Sequence, residues 1–265
     1  MNESIPDTPK VSIVMPAYKA EEYVGEAIDS VLKQSFSDWE LIVVDDCSAD
    51  KTADIAYQYA ETDPRIRVIE NDTNLGAAGT RNKGIAHSIG EWIAFLDCDD
   101  IWRNEKLEKQ LKLAEETGAE LIYTSYTLFS NEEGVCRHRD YLVPSSVTYQ
   151  SMLRENYIGC STAMVKKSLL ETHSFSENIH HEDYALWLEL LKCGVRSAGC
   201  REVLTDWRMT PESRSAHKIS AARSRWIIFR DVEKLPLHTS IFCFSIYAVK
   251  GILKRYTGYK RVTGA

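Results

Sequence analysis

The sequence is short of several features that mark common protein classes. Its seven cysteines are scattered, odd in number and form no C-x-x-C pair. That excludes a disulfide framework or zinc knuckle and fits reduced thiols in a cytosolic protein. No uncharged apolar run comes near the roughly 20 residues that span a bilayer. Met1 to Lys10 are polar, with two prolines and no signal-peptide apolar core. Positive charge is scarce: a formal net charge of −7 argues against a dedicated nucleic-acid binder. Also missing is a G-x-G-x-x-G loop after the first strand, which would bring backbone amides onto a pyrophosphate. No internal repeat, low-complexity tract or linker is visible.

What is present suffices for a large core. Of 265 residues, 44% are hydrophobic and 27% charged, a soluble globular balance for one large α/β domain or two small ones. Charge is unevenly placed. Six of the 32 Lys/Arg and none of the 39 Asp/Glu lie from Lys234 onward, so residues 1–233 carry a net −13. The tail is a separate electrostatic object.

The periodicities alternate. Val11–Met15 reads as a strand stopped by Pro16. Val24, Ala27, Ile28, Val31 and Leu32 then mark one face of an amphipathic helix. Trp39–Val44 is a buried strand ending in Asp45-Asp46, after which Ser48 or Asp50 can cap a helix containing Ile55, Ala56 and Tyr59. Ile66–Ile69 is a third strand; a turn at Asn74-Leu75-Gly76 leads into a helix from about Ala77 to Ser88. Trp92–Leu96 is the fourth strand, followed by a helix near Glu105–Glu116 and a strand at Leu121–Thr124. This alternation predicts βαβ units and a parallel sheet, with the polar strand ends gathered on one edge. Beyond it the pattern loosens. Residues 126–148 read as hairpin or loop, Tyr149–Glu155 as a short helix and Thr162–Val165 as a strand. Asp183–Cys193 reads as a helix with Leu186, Trp187, Leu190 and Leu191 on its buried side, and Ala221–Leu235 as another, with a strand at Val203–Met209 between them.

The stretch Ile93-Ala94-Phe95-Leu96-Asp97-Cys98-Asp99-Asp100 organises the rest. An apolar strand runs straight into three carboxylates at the carboxyl edge, where open α/β sheets bind ligands. Crowded carboxylates repel, and a divalent cation with oxygen ligands relieves them; the alternative is a turn, with Asp100 capping the next helix. Tyr18, after Pro16 and Ala17, offers a ring for stacking on a base, or covers the core edge. Asp45 and Asp46 can accept hydrogen bonds from a base or ribose, or cap a helix. Arg81 can face base or phosphate oxygens, or make a surface salt bridge. His181-Glu182 is no zincin motif, since Ala185 stands four beyond His181.

Taken in order, Pro16-Ala17-Tyr18, Val44-Asp45-Asp46, Asn74-Leu75-Gly76 with Ala78-Gly79-Arg81-Asn82, and Asp97-Cys98-Asp99-Asp100 resemble the nucleotide-sugar half of glycosyltransferase family 2. His181-Glu182-Asp183-Tyr184 followed by Trp187 resembles the family's acidic catalytic motif. Trp207-Arg208 with Ser213 and Ser215 resembles its closing segment, so the likeness covers residues 10–216. It implies a GT-A fold, a Rossmann-like, mainly parallel sheet flanked by helices. It also implies inverting transfer from a UDP-sugar to a saccharide or polyprenyl-linked acceptor in surface-polysaccharide synthesis. Carried over by position, Pro16, Ala17, Tyr18 and Asp45 or Asp46 hold the uracil, Gly76 shapes the next turn, and Arg81 assists at the base. Asp97 and Asp100 belong to the D-x-D-D motif, in which one acid bonds the ribose and Asp99 binds Mn2+ or Mg2+. Asp183 is the general base, with Glu182 the adjacent alternative. His181, Trp187, Trp207, Arg208 and Ser213 belong to the acceptor and closing segment. Cys98 stands where Ser or a similar small residue is common, a mild departure.

The implied layout is one GT-A domain over residues 1–235, with a nucleotide-sugar half over about 10–100, an acceptor half over about 101–235, and a basic amphipathic tail at 236–265. Residues 235–249 carry no Asp, Glu, Lys or Arg; Lys250, Lys254, Arg255, Lys260 and Arg261 follow. Such a segment can lie on the anionic inner face of the plasma membrane, or pack on the domain or a homodimer partner. Two rival functions stay open. A non-catalytic nucleotide-sugar sensor would keep Asp45 and Asp99 but have no use for Asp183. A nucleotidylyltransferase would want the glycine-rich loop that is missing.

Overall fold

The computed structural model describes residues 8–130, 137–209 and 218–257. Its centre is made by the apolar runs: β1 (Val11–Ala17) and β2 (Trp39–Asp45) are buried at every position. With β3 (Ile66–Glu70) and β4 (Trp92–Phe95) they lie parallel in the order β3-β2-β1-β4. The connections carry α1 (Val24–Leu32), α2 (Thr52–Thr62) and α3 (Gly76–His87). Side chains alternate between two cores, Val14, Ile93 and Phe95 facing one and Ile13, Met15, Ala94 and Leu96 the other. At Gly84 an added Cβ would lie 2.5 Å from Val14 Cγ1, so α3 rests its bare backbone on the sheet.

Past β4 the sheet reverses and then recovers. β8 (Met164–Lys166) is antiparallel to both β4 and β6 (Leu121–Ser130), while β9 (Ser197–Arg208) is parallel to β6. β5 (Ile101–Trp102) forms the far edge against β9, and β7 (Arg137–Tyr141) makes a hairpin with β6. The helices of this half are α4 (Lys106–Thr117), α5 (Tyr149–Arg154), α6 (Lys167–Leu170) and α7 (Glu182–Lys192). They are followed by α8 (Lys218–Ile227), a π-helical turn at Ile228–Val232 and α9 (Leu237–Thr257). The sheet is mixed and mostly parallel, flanked by helices as expected.

Several boundaries differ from the sequence expectation. β1 continues through Pro16 to Ala17, because Pro16 lies past Val14, the last residue paired with β4, where a missing N–H costs little. β6 runs ten residues rather than four, held to β9 across register shifts after Thr124 and Ser125. β5, only two residues long, carries no periodic signal. Residues Cys160–Thr162 form a 3₁₀ turn before β8 instead of joining a strand.

Lys106 on α4 is fully buried. Its ammonium donates to Gln110 Oε1 at 2.7 Å and lies 3.9 Å from the Trp102 ring centroid. Burial pushes its pKa well below the ordinary lysine value. The tail helix α9 packs on the domain: Phe244 meets the edge of Trp226, and Tyr247 stacks on Arg225, which also covers Tyr184. Lys250 pairs with Glu155 at 2.6 Å, so it is held to the domain rather than offered to a membrane. The six described cysteines are free, Cys136 lying outside the described residues. Among the described residues no helix is long and apolar enough to cross a membrane.

Candidate active site

Four parallel strands deliver their carboxyl ends to one edge, and the loops there are tied to one another. After β1, Tyr18 stands 46% exposed, its position fixed by the next residues. Lys19 N–H donates to Ser48 Oγ at 3.0 Å and Ala20 N–H to Thr52 Oγ1 at 2.8 Å. Lys19, Cys47 and His181 adopt left-handed backbone, φ 48°, 60° and 64°. Such φ values are uncommon for non-glycine residues and collect at functional loops.

The two acids ending β2 do different work. Asp46 accepts from Leu75 N–H (2.7 Å), Asn71 Nδ2 (2.8 Å) and Gly76 N–H (2.9 Å). It thereby fixes the turn in which Gly76 takes φ +70° and opens α3. Asp45 is also buried and accepts from Ser48 N–H at 2.9 Å through Oδ2, but its Oδ1 has no protein partner. A buried carboxylate oxygen without a donor is costly unless a ligand supplies one.

Arg81 is the structural surprise. It is buried between two carboxylates, donating to Asp97 Oδ1 at 2.5 Å and to Glu182 Oε1 at 2.6 Å. Burial works against its charge, yet the adjoining carboxylates, Asp97 foremost, hold its pKa well above the ordinary guanidinium value. Arg81 thus faces the protein interior rather than a nucleotide base. It ties α3 to the acidic loop after β4 and to the first residue of α7, next to Asp183. Beside it Asn82 grips the chain approaching α7, donating to Phe175 O at 2.8 Å and accepting from Phe175 N–H at 3.0 Å.

Within the Asp97–Asp100 loop, Asp100 is buried and accepts from Arg208 N–H at 2.9 Å. Burial, then the charges of Asp99 and Asp97, push its pKa well above the ordinary carboxylate range. Arg208 donates through Nε to the Asp99 carbonyl at 2.8 Å and pairs with Glu26 of α1. Both basic groups here are thus engaged by protein, and the loop keeps an excess of carboxylate. Among the described residues no group of three or more His, Cys, Asp or Glu is arranged as a complete metal cage. The carboxylates of this loop are hard oxygen donors, the ligand type that Mn2+ and Mg2+ take together with substrate phosphates.

The acceptor-side residues separate. His181 precedes α7 as its N-cap position, and Glu182 is buried while Asp183 is only partly so. Trp187 is fully buried against Phe95 and Phe175, which makes it core and corrects its placement at an acceptor site. Trp207 lies against Tyr126, 5.2 Å between ring centroids. Ser213 and Ser215 lie outside the described residues.

Comparison with known proteins decides the family. The family model described as "Glycosyl transferase family 2" matches residues 12–174. The chain belongs to glycosyl transferase family 2. It is 38% identical over 93% of its length to a putative teichuronic acid biosynthesis glycosyltransferase, TuaG, of Bacillus subtilis, 98% of which is covered. It is 36% identical to WfgD of Escherichia coli, a UDP-Glc:alpha-D-GlcNAc-diphosphoundecaprenol beta-1,3-glucosyltransferase, over 94% of this chain and 96% of that one. Among solved structures, S. aureus TarS 1-349 in complex with UDP aligns with TM-score 0.66 and 22% identity, covering 96% of this chain and 74% of that chain. The mannosyltransferase PcManGT of Pyrobaculum calidifontis, in complex with GDP-Man and Mn2+, aligns at TM-score 0.68 and 19% identity, covering 97% and 78%. These neighbours share the fold.

The transferase also uses residues that no motif pointed to. Ser161 accepts from Asp97 N–H at 3.0 Å and contributes a hydrogen bond to Asp100, while its carbonyl receives Trp102 Nε1 at 2.8 Å. Ser161, Trp102 and Glu26 therefore support the acidic loop from behind. A lone Ser in Cys160-Ser161-Thr162 gives no sequence signal. Asn82 stood within the quoted α3 motif, but its grip on Phe175 spans 93 residues.

Proposed function

We propose that this glycosyltransferase moves a sugar from a UDP-sugar onto a hydroxyl of a saccharide or polyprenyl-linked saccharide, in the synthesis of a bacterial cell-surface polysaccharide. The observation that carries the reading is the Arg81 bridge, which brings the Asp97–Asp100 loop and the Glu182-Asp183 helix start together at one sheet edge. The named relatives, one acting on UDP-Glc and a diphosphoundecaprenol-linked sugar, support donor and acceptor classes. Those acceptors are lipid-borne, so the reaction belongs at the inner face of the plasma membrane.

Each residue has a physical task. Tyr18 stacks on the base, and the unpartnered Asp45 Oδ1 accepts from the uracil N3–H, a donor that cytosine lacks. Asp97 and Asp99 face the ribose and diphosphate. Asp99 would hold a Mn2+ or Mg2+ ion, whose charge would offset the negative charge gathering on the departing diphosphate. Asp183 takes the proton of the acceptor hydroxyl as that oxygen forms its bond to the anomeric carbon. The bond to UDP breaks on the opposite side, which inverts the centre. Glu182 is engaged with Arg81, and Asp183, one residue on, is the base in this reading. Its place in the first turn of α7 favours the charged form through the helix dipole.

The deciding experiment is a donor screen with purified protein and Mn2+, reading released UDP in the presence of a lipid-linked disaccharide precursor or soluble analogue. UDP release that depends on donor and acceptor supports the assignment. Tight UDP binding with no transfer from any donor would mark a sensor instead. Stronger competition by GDP than by UDP would overturn the role given to Asp45.

A further inference from the structure

We propose that the outward face of α9 docks this protein on an anionic lipid bilayer. The inference deepens the reading above, resting on it only for why a lipid surface matters. Exposed large apolar side chains are unevenly spread. Of twelve among the described residues, Ile227, Val232, Leu237, Ile241, Phe242 and Val249 all fall in the last helical segment. The four on α9 are each more than half exposed.

A surface helix ordinarily turns its apolar side inward and its polar side to water. Here the inward side is Ser240, Cys243, Phe244, Tyr247 and Lys250, engaged with α5, α8 and the preceding turn. The outward side runs Leu237, Ile241, Ser245, Ala248, with exposed His238 among them and Phe242 and Val249 flanking, a stripe about 18 Å long at helical rise. No charged residue lies between Leu237 and Val249. Even the hydroxyl of Ser245 is turned back, donating to Ile241 O at 2.8 Å. A monomer rarely leaves such a stripe to water unless something covers it.

Charge selects the occupant. After Lys250, which Glu155 holds, the chain still carries Lys254, Arg255, Lys260 and Arg261 and no acid to its end. An anionic leaflet meets both demands, apolar insertion and cation pairing. A second copy of this chain, whose residues 1–233 carry a net −13, is the rival occupant, and light scattering tells the two apart. The structure also moves the attachment off Lys250 and onto the bare apolar face.

The test is flotation of the full chain with phosphatidylcholine vesicles, with and without phosphatidylglycerol. The expected result is strong binding to the anionic vesicles and weak binding to the neutral ones. The combined variant Leu237→Ser, Ile241→Ser, Phe242→Ser should bind at least about tenfold less, with an unchanged melting temperature because these side chains are exposed. It should keep UDP release from the donor when a water-soluble acceptor is supplied. Equal flotation of variant and parent overturns the proposal. So does a parent that stays in solution, or a parent dimer by light scattering that the variant dissociates. Loss of transfer with flotation intact would instead strike the proposed reaction and leave this surface standing.

Discussion

The two halves of the sheet hold their site residues in opposite ways. In the parallel half, Asp45, Asp46 and Asp97 follow strands buried on both sides, and short bonds between neighbouring loops fix them. In the mixed half, α7 reaches the same edge from far along the chain, its body packed into the core through Tyr184 and Trp187, its first residue bound by Arg81, and the chain leading into it held by Asn82. The acids of the parallel half thus rest on the frame of the sheet. The polar ties that cross to the start of α7 include a buried cation and an amide clamp, an arrangement in which small changes move Asp183.

Expected losses rank accordingly. Asp183→Asn should bind UDP as the parent does, by calorimetry, while transfer falls by up to about 10⁴-fold, the range of a general base. Asp99→Ala should abolish Mn2+-stimulated turnover on a similar scale, and an undiminished response to Mn2+ would move the metal elsewhere. Arg81→Met breaks the comparison at its hinge. Stranding Glu182 beside Asp97 should cost about 3–5 kcal/mol in denaturant unfolding, and a neutral result would show the halves to be held otherwise. Asp46→Ala should cost about 2 kcal/mol of stability through the lost turn bonds. Asp45→Ala should cost the fold about 1 kcal/mol, through the lost Ser48 N–H bond, and weaken UDP roughly tenfold, about 1.4 kcal/mol. Reversal of that last pair would exchange the roles of the two acids.

The smallest effect is a pH dependence. Asp100 has a raised pKa in the folded protein, so the folded state binds its proton more tightly than the unfolded one. Stability should therefore fall as pH rises from about 3.9, the ordinary value, through the folded value. Asp100→Asn should flatten that slope in urea titrations and change neutral-pH stability by less than about 1 kcal/mol.

Sequence reading succeeded where the pattern is local. The strands β2 and β4 show as apolar runs because both faces are buried, and their terminal acids follow within a residue or two. Arg81 was visible but misdirected: its type suits phosphate or base oxygens, and only the fold shows Asp97 and Glu182 closing on it. Glu26, Ser161 and Phe175 were invisible, since each meets its partner across 64 or more residues. For Trp187 the helical periodicity, which puts it on the buried side, holds, while the resemblance, which puts it beside the acceptor, does not, since an aromatic residue beside a catalytic motif looks the same whether it faces substrate or core. The length of β6 escaped notice because its register slips, breaking the alternation that marks a strand.

Lys106, sealed under Trp102 with an amide for company, has a consequence for the solvent this protein prefers. The unfolded chain grips that proton up to about pH 10.4, the ordinary lysine value, while the folded chain releases it far earlier. Between those points the fold firms up as the medium grows alkaline. A chain already seven charges negative thus gains resilience from this one site in the direction that makes it more negative still.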